Sequence, residues 1–323
     1  MRYIEDVVKL IGNTPMYRFN NEKYGIPKNV NVFAKLEHLN PGGGIKDRTV
    51  LYMIEKAEKE GKIKKGDTIV EATAGNTGIA LALLGKQKGY DVHLAVPGKF
   101  SIEKQIIMRA LGANVYQTST KGGMDEAYEK LKEVTKGIEN VFVLDQFENH
   151  TNPDAHYYMT GPELYEDLDG NIDIFIAGAG TGGGYCGVIK YLKEQNNNIK
   201  GVLAEPEGSV YGGGAYSPYK IEGIGNDFIP NTMDMSLVDD AIYVNDDEAY
   251  SMVKEIAVNS GLLVASSSGA NLAAAIKYAK KFENEDKIIN IVTILPDRSE
   301  RYFSKDIYGY KDIYNVEFSI KED

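Results

Sequence analysis

The chain has 323 residues, 43% of them hydrophobic, and a formal net charge of −11. That is enough apolar material for one large core or two of ordinary domain size, and too acidic a balance to favour nucleic acid or anionic lipid as partner. The single cysteine, Cys186, excludes an internal disulfide framework, and His38, His93, His150 and His156 are too scattered to suggest a metal motif, so no structural metal is expected.

The opening "MRYIEDVVKL" lacks the charged start and apolar run of a secretory leader, and no apolar stretch is long enough to span a bilayer. A cytoplasmic, membrane-free protein is the expectation. In chain order, a helix is predicted to begin near Asp47, behind the glycine run "NPGGGIKDR" (40–48). Then come a strand at 67–73, a helix over 76–88, a strand at 91–97, a helix from Ser101, a strand at 114–119, a helix over 124–136 and a strand at 140–146. The series breaks at 147–153 and resumes with a helix near 154–168, a strand at 172–180, a helix near 183–195, a strand at 199–206, helices near 247–260 and 269–281, and a strand at 287–296. The strands are apolar runs with little alternation, as sheets covered on both faces require, and their regular exchange with helices predicts an α/β fold of two open lobes with largely parallel sheets. The glycine-rich stretch 207–230 has no periodicity and is expected to be a long functional or connecting loop.

Three glycine turns border these elements. "GAGTGGG" (178–184) opens a helix and offers backbone N–H groups to an anion, as a phosphate site requires. Gly178, Gly180 and Gly183 also satisfy G-x-G-x-x-G, with Glu205 ending the next strand, so a nicotinamide site stands as one reading of these residues. "ATAGNTG" (72–78) gathers Thr73, Asn76 and Thr77 before a helix, which suits a carboxylate, although simple helix capping uses the same residue types. In the third turn, Gly42, Gly43 and Gly44 let the backbone approach a flat ligand and deliver Lys46 to a positively polarised helix start. A helix N-terminus and partial burial both lower an amine's pKa, suiting it to act as nucleophile or proton shuttle.

Together these segments resemble the fold-type II pyridoxal-phosphate enzymes, in the cysteine synthase and cystathionine β-synthase branch. "NPGGGIKDR" is similar to the Schiff-base lysine segment, "EATAGNTGIALA" to the substrate-carboxylate loop and "GAGTGGG" to the cofactor-phosphate loop; "DQFENHTNP", "IEGIGNDFIP", "ASSSGANLAAA" and "ILPDRSERY" follow in order. The resemblance replaces the nicotinamide reading and implies pyridoxal 5'-phosphate bound to Lys46, which then acts as acid and base. It implies that Asn76 bonds the ring hydroxyl, that Gly180, Thr181, Gly182, Gly183 and Gly184 hold the phosphate, and that Ser267, or its neighbour Ser268, faces the pyridine nitrogen. Thr73, Ala74, Gly75, Asn76, Thr77, Gln146 and Gly223 would bind the substrate. A smaller domain, 41–150, would carry the carboxylate loop, and a larger one, 1–40 plus 151–323, the phosphate loop; a homodimer is implied.

The implied reaction is β-elimination and β-replacement through an aminoacrylate, on a cysteine- or serine-type amino acid with sulfide, a thiol or water as second reactant. A hydroxyl at the pyridine nitrogen leaves it largely unprotonated and favours elimination over transamination. Ala74 stands where serine is usual, and Gly184 where threonine commonly ends the phosphate loop. Asp227, in "GIGNDF", stands where plain cysteine synthases carry a small residue and cystathionine β-synthases an aspartate. If it faces the pocket it is a candidate general base, tilting the expectation towards hydrogen sulfide release or thioether synthesis; a solvated loop acid is the alternative. Cysteine synthesis from O-acetylserine and sulfide, serine or threonine deamination, and a non-catalytic regulatory relative remain the other readings.

Overall fold

The computed structural model describes residues 3–73 and 75–310. Its first strands, β1 (Met16–Arg18) and β2 (Val30–Lys35), flank the short helix α1 (Asn21–Tyr24), and α2 (Lys46–Lys59) follows. Next, β3 (Thr68–Ala72), β4 (Asp91–Pro97), β5 (Asn114–Thr118) and β6 (Val141–Val143) alternate with α3 (Asn76–Lys88), α4 (Ile102–Ala110) and α5 (Gly123–Val134). These strands form a four-stranded sheet of order β5-β4-β3-β6, parallel throughout. All of β3 is buried, Glu71 included, as expected for a strand covered on both faces.

A long helical segment leads back. It comprises α6 (Thr151–Ala155), a π turn at His156–Thr160 and α7 (Gly161–Asp167). Then β7 (Ile174–Ala177), α8 (Gly183–Gln195), β8 (Lys200–Pro206), β9 (Asp240–Val244), α9 (Asp246–Ser260), α10 (Ser266–Ala279) and β10 (Ile289–Ile294) complete the fold. The second sheet has six strands in the order β1-β2-β10-β7-β8-β9. Only the β1–β2 pair is antiparallel, so the sheets are largely parallel as expected.

Helices α3 and α8 coincide with the sequence expectation, because each starts at a glycine turn and ends where the apolar face ends. The short strands β1, β2 and β9 carry no comparable signal. Asn31 interrupts β2 and β1 is three residues long, so their strand character comes from pairing across the sheet. The expected strand at 140–146 shrinks to Val141–Val143, since Asp145 turns into the left-handed region at φ 55° and donates its N–H to Glu71 instead of the ladder.

Near the start of α2, Arg48 is fully buried and forks between two carboxylates. Its Nε and Nη2 lie 2.7 and 2.8 Å from Glu37, and its Nη1 and Nη2 lie 2.6 and 2.7 Å from Glu163. Thr14 and Asn40 donate the remaining hydrogen bonds to Glu37, and Lys35 reaches Glu163 at 3.0 Å. Burial opposes charge on Glu163, but the Arg48 hydrogen bonds and charge outweigh it and hold the carboxyl down at about 2. Burial likewise opposes charge on Arg48, and the two carboxylates overcome it. Removing one member of such a set leaves uncompensated buried charge. Arg48→Met is therefore expected to lower unfolding free energy by about 3–5 kcal/mol, read as a reduced urea midpoint.

Candidate active site

Lys46 is the first residue of α2, two positions before Arg48 and half-buried. Burial pushes its amine down to about 8, partly opposed by the charge of Glu71. Among the described residues no carboxylate lies within 4.0 Å of its Nζ, so this amine is not committed to an ion pair. Its turn is held by the Ile45 N–H donating to the Pro296 carbonyl at 2.9 Å, and by the Gly42 N–H donating to Asp47 at 2.6 Å. Burial pushes the Asp47 carboxyl up to about 7, against the lowering influence of Arg301.

The three glycines lie tight against protein groups. A Cβ on Gly42 would lie 2.4 Å from an Asp47 oxygen, and one on Gly43 would lie 2.5 Å from Arg301 Nη2. On Gly44 it would press on the Asp297 Cβ and the Pro296 carbonyl, both at 3.2 Å. The clearance admits protein groups packed under the lysine turn. Gly43 is also left-handed, at φ 84°.

The proposed carboxylate wall lies at the C-terminal end of β3. Thr73 Oγ1 accepts the Gly75 N–H at 3.1 Å, and Thr77 Oγ1 donates to Gln146 Oε1 at 2.5 Å. Beneath them Glu71, fully buried and pushed up by that burial to about 8, accepts the N–H groups of Asp145 and Gln146 at 2.8 and 3.4 Å. Asn76 is fully engaged: its Nδ2 donates to Asp297 at 2.6 Å and to Tyr302 at 3.2 Å, while its Oδ1 accepts from Arg301 at 2.9 Å. Ala74 lies outside the described residues.

On the other side, Gly180–Gly184 run from behind β7 into the first turn of α8. Asn152 Nδ2 bridges this loop to the carboxylate wall, reaching Thr181 Oγ1 at 2.8 Å and the Gln146 carbonyl at 2.7 Å. Gly180, Gly182 and Gly183 pack so closely on Gly223, Met233 and Asn152 that a Cβ would come within 2.5, 2.7 and 2.1 Å of them. Gly184 and Gly223 are roomier. A Cβ there would meet only Ile45 and His156, at 3.8 and 3.9 Å, or only Ser267 Oγ, at 4.0 Å.

Ser267 and Ser268 differ. The Ser268 hydroxyl is sealed and has no partner, whereas the Ser267 hydroxyl faces Gly223. A depressed lysine, a glycine loop at the N-terminus of α8 and a serine facing open space at Gly223 together fit a cofactor with an aldehyde, a phosphate and a ring nitrogen. Glu205, which would mark a ribose site, is instead fully buried and accepts the Gly212 N–H at 3.1 Å. Asp227 is exposed, on a loop whose Phe228 packs against Phe147 at 5.6 Å between ring centroids.

No local pattern in the sequence singles out Glu71, Asn152, Asp297, Arg301 or Tyr302, because no spacing rule predicts that residues 71, 76, 297 and 301 meet.

The sequence pattern of the pyridoxal-phosphate dependent enzymes matches residues 7–297. The chain belongs to that family. Pyridoxal phosphate is accordingly its cofactor, and the α/β architecture is the family's fold-type II. Within the family it is 48% identical over 308 residues to the O-acetylserine dependent cystathionine β-synthase of Bacillus subtilis, covering 95% of this chain and 99% of that relative. The crystal structure of O-acetylserine dependent cystathionine β-synthase from Helicobacter pylori is similar at TM-score 0.89 and 44% identity, covering 95% of this chain and 100% of that one. A hydrogen sulfide-producing enzyme from Fusobacterium nucleatum is similar at TM-score 0.86 and 42% identity, covering 93% and 100%.

A lysine held near 8 is half neutral there, while an ordinary lysine remains protonated to about pH 10. Acylation of Lys46 in the cofactor-free protein, followed by peptide mass mapping, is expected to climb between about pH 7 and 9, well before surface lysines respond.

Proposed function

We propose that this enzyme removes and replaces the β-substituent of a cysteine- or serine-type amino acid, releasing hydrogen sulfide from cysteine with water or a thiol as acceptor, or forming a cystathionine-type thioether. The observation that carries this reading is Lys46, presented at the first position of α2 with an amine depressed by burial. Bound pyridoxal phosphate supplies the electron sink that lets a bond at Cα break.

The chain supplies the rest. Lys46 Nζ anchors the cofactor and, once freed, takes the proton from Cα, for which an amine titrating near 8 is well matched. Thr73, Gly75, Asn76, Thr77 and Gln146, with Ala74 and Gly223, orient the substrate, its carboxylate meeting hydroxyl and amide donors. Gly180, Thr181, Gly182, Gly183 and Gly184 hold the phosphate at the N-terminus of α8, where the helix dipole favours negative charge. The Ser267 hydroxyl, which faces Gly223, would meet the ring nitrogen with a hydrogen bond and no full charge. Asp227, exposed on the loop after Gly223, serves the second reactant as base or as partner of its ammonium group. The proposal includes the division into 41–150 and 1–40 plus 151–323, a homodimer and a cytoplasmic location. Among the described residues, no helix is long and apolar enough to cross a membrane.

Assays of the holoenzyme with cysteine, with serine and with O-acetylserine, each with and without homocysteine, are expected to yield sulfide or thioether. Turnover confined to O-acetylserine plus sulfide would instead make it a cysteine synthase. Lys46→Ala is expected to abolish the visible band of the bound cofactor and to slow turnover at least about 100-fold. Asp227→Ala is expected to slow the step with water or thiol while leaving amino-acid affinity unchanged. Equal rates with every nucleophile would remove Asp227 from the mechanism.

A further inference from the structure

Arg301 lies in the 3-10 turn Ser299–Lys305 after β10 and is only 4% exposed. Among the described residues no carboxylate stands within ion-pair distance, 4.0 Å, of its guanidinium. A guanidinium buried that way is a costly means of filling space. Its two terminal nitrogens instead serve two elements of the site. Nη1 donates to Asn76 Oδ1 at 2.9 Å, at the first residue of α3, and Nη2 donates to the carbonyl of Gly42, in the turn that delivers Lys46. Left-handed Gly43 makes room for that second contact, since a Cβ there would collide with Nη2.

Asp297 completes the grip. Its Oδ2 accepts from Asn76 Nδ2 at 2.6 Å and from the Tyr302 hydroxyl at 2.5 Å. The Asn76 carboxamide is thus held at both ends, nitrogen towards a carboxylate and oxygen towards a guanidinium. A flip would set its N–H groups against Arg301 and its oxygen against Asp297, so only one orientation survives.

We propose that Arg301 is a positioning residue for the reaction: it locks the Asn76 carboxamide and the Gly42 carbonyl together, so that the substrate wall and the lysine turn keep one fixed geometry. The inference rests on the role given above to Asn76 in orienting the substrate, which falls to its backbone N–H at the start of α3, since both carboxamide N–H groups are taken by Asp297 and Tyr302. Arg301 touches neither in this arrangement; it acts through Asn76 and Gly42.

A double-mutant cycle on the holoenzyme tests this. Amino-acid affinity is read from the spectral change on adding cysteine, serine or O-acetylserine without a nucleophile, cofactor retention from its rate of loss, and stability from the urea midpoint. Arg301→Met and Asn76→Ala are each expected to weaken amino-acid binding about 10-fold, as for loss of a charge-assisted hydrogen bond. The double variant should fall short of the product of the two single effects, because the contact to Asn76 is already gone and only the one to Gly42 is left to lose. Arg301→Lys, whose single head group reaches only one of the two acceptors, should recover part of the loss. Multiplicative effects in the double variant, or a lower urea midpoint with binding and retention unchanged, would overturn the proposal. Should Arg301→Met fail to fold, Arg301→Lys takes its place in the cycle and is judged in the same way. If the wild-type spectrum responds to none of the three amino acids, the substrate reading fails, while the cofactor-retention cycle still decides the role of Arg301.

Discussion

A guanidinium with no access to water fixes the start of α2. Arg48 cannot move without stranding Glu37 or Glu163, and Glu163 in turn ties it to Lys35 and to the N–H of Asn13. Lys46 sits two residues earlier on the same helix, so its position is inherited from the charges packed beneath α2 together with the hydrogen-bonded turn in front of it. Catalytic geometry needs this rigidity, because an amine displaced by about 1 Å loses much of its effect.

The same turn shows how charge can be kept close to a reactive lysine without quenching it. Asp47 is adjacent in sequence, yet its carboxylate is turned onto the Gly42 N–H and its proton affinity is raised by burial. Glu71 raises the lysine's pKa through its charge, but its own ionisation is disfavoured by burial. With burial raising the proton affinity of both acids, the desolvation of Lys46 outweighs the charge of Glu71 and its amine stays accessible to deprotonation. Asn152 and Arg301 then tie the surrounding loops into one frame, the first between the phosphate loop and Gln146, the second between the lysine turn and Asn76.

Much of this was legible in one dimension. The burial of β3, the starts of α3 and α8 at glycine turns, and the alternation of strand and helix all follow from local pattern and turn chemistry, which operate within a few residues. Lys46, Thr73, Asn76, Thr77 and the Gly180–Gly184 loop stood out for the same reason. The short strands β1, β2 and β9 did not, since their strand character is lent by neighbours distant in sequence. The groups that Gly42, Gly43 and Gly44 make room for are not legible locally, because they include Asp297 and Arg301, more than 250 residues away.

The sequence by itself determined the candidate parts of the site: a lysine at a helix start, a glycine loop opening a second helix, and a hydroxyl- and amide-rich turn opening a third, each defined by residues close together in the chain. Only the tertiary structure decided how these parts are held. Whether Ser267 or Ser268 looks towards the cleft depends on the phase of α10 against Gly223, and whether Asn76 keeps one orientation depends on Arg301 and Asp297 arriving from the far end of the chain. Local propensity sets what a segment can do, while packing across the two sheets sets which atoms face one another.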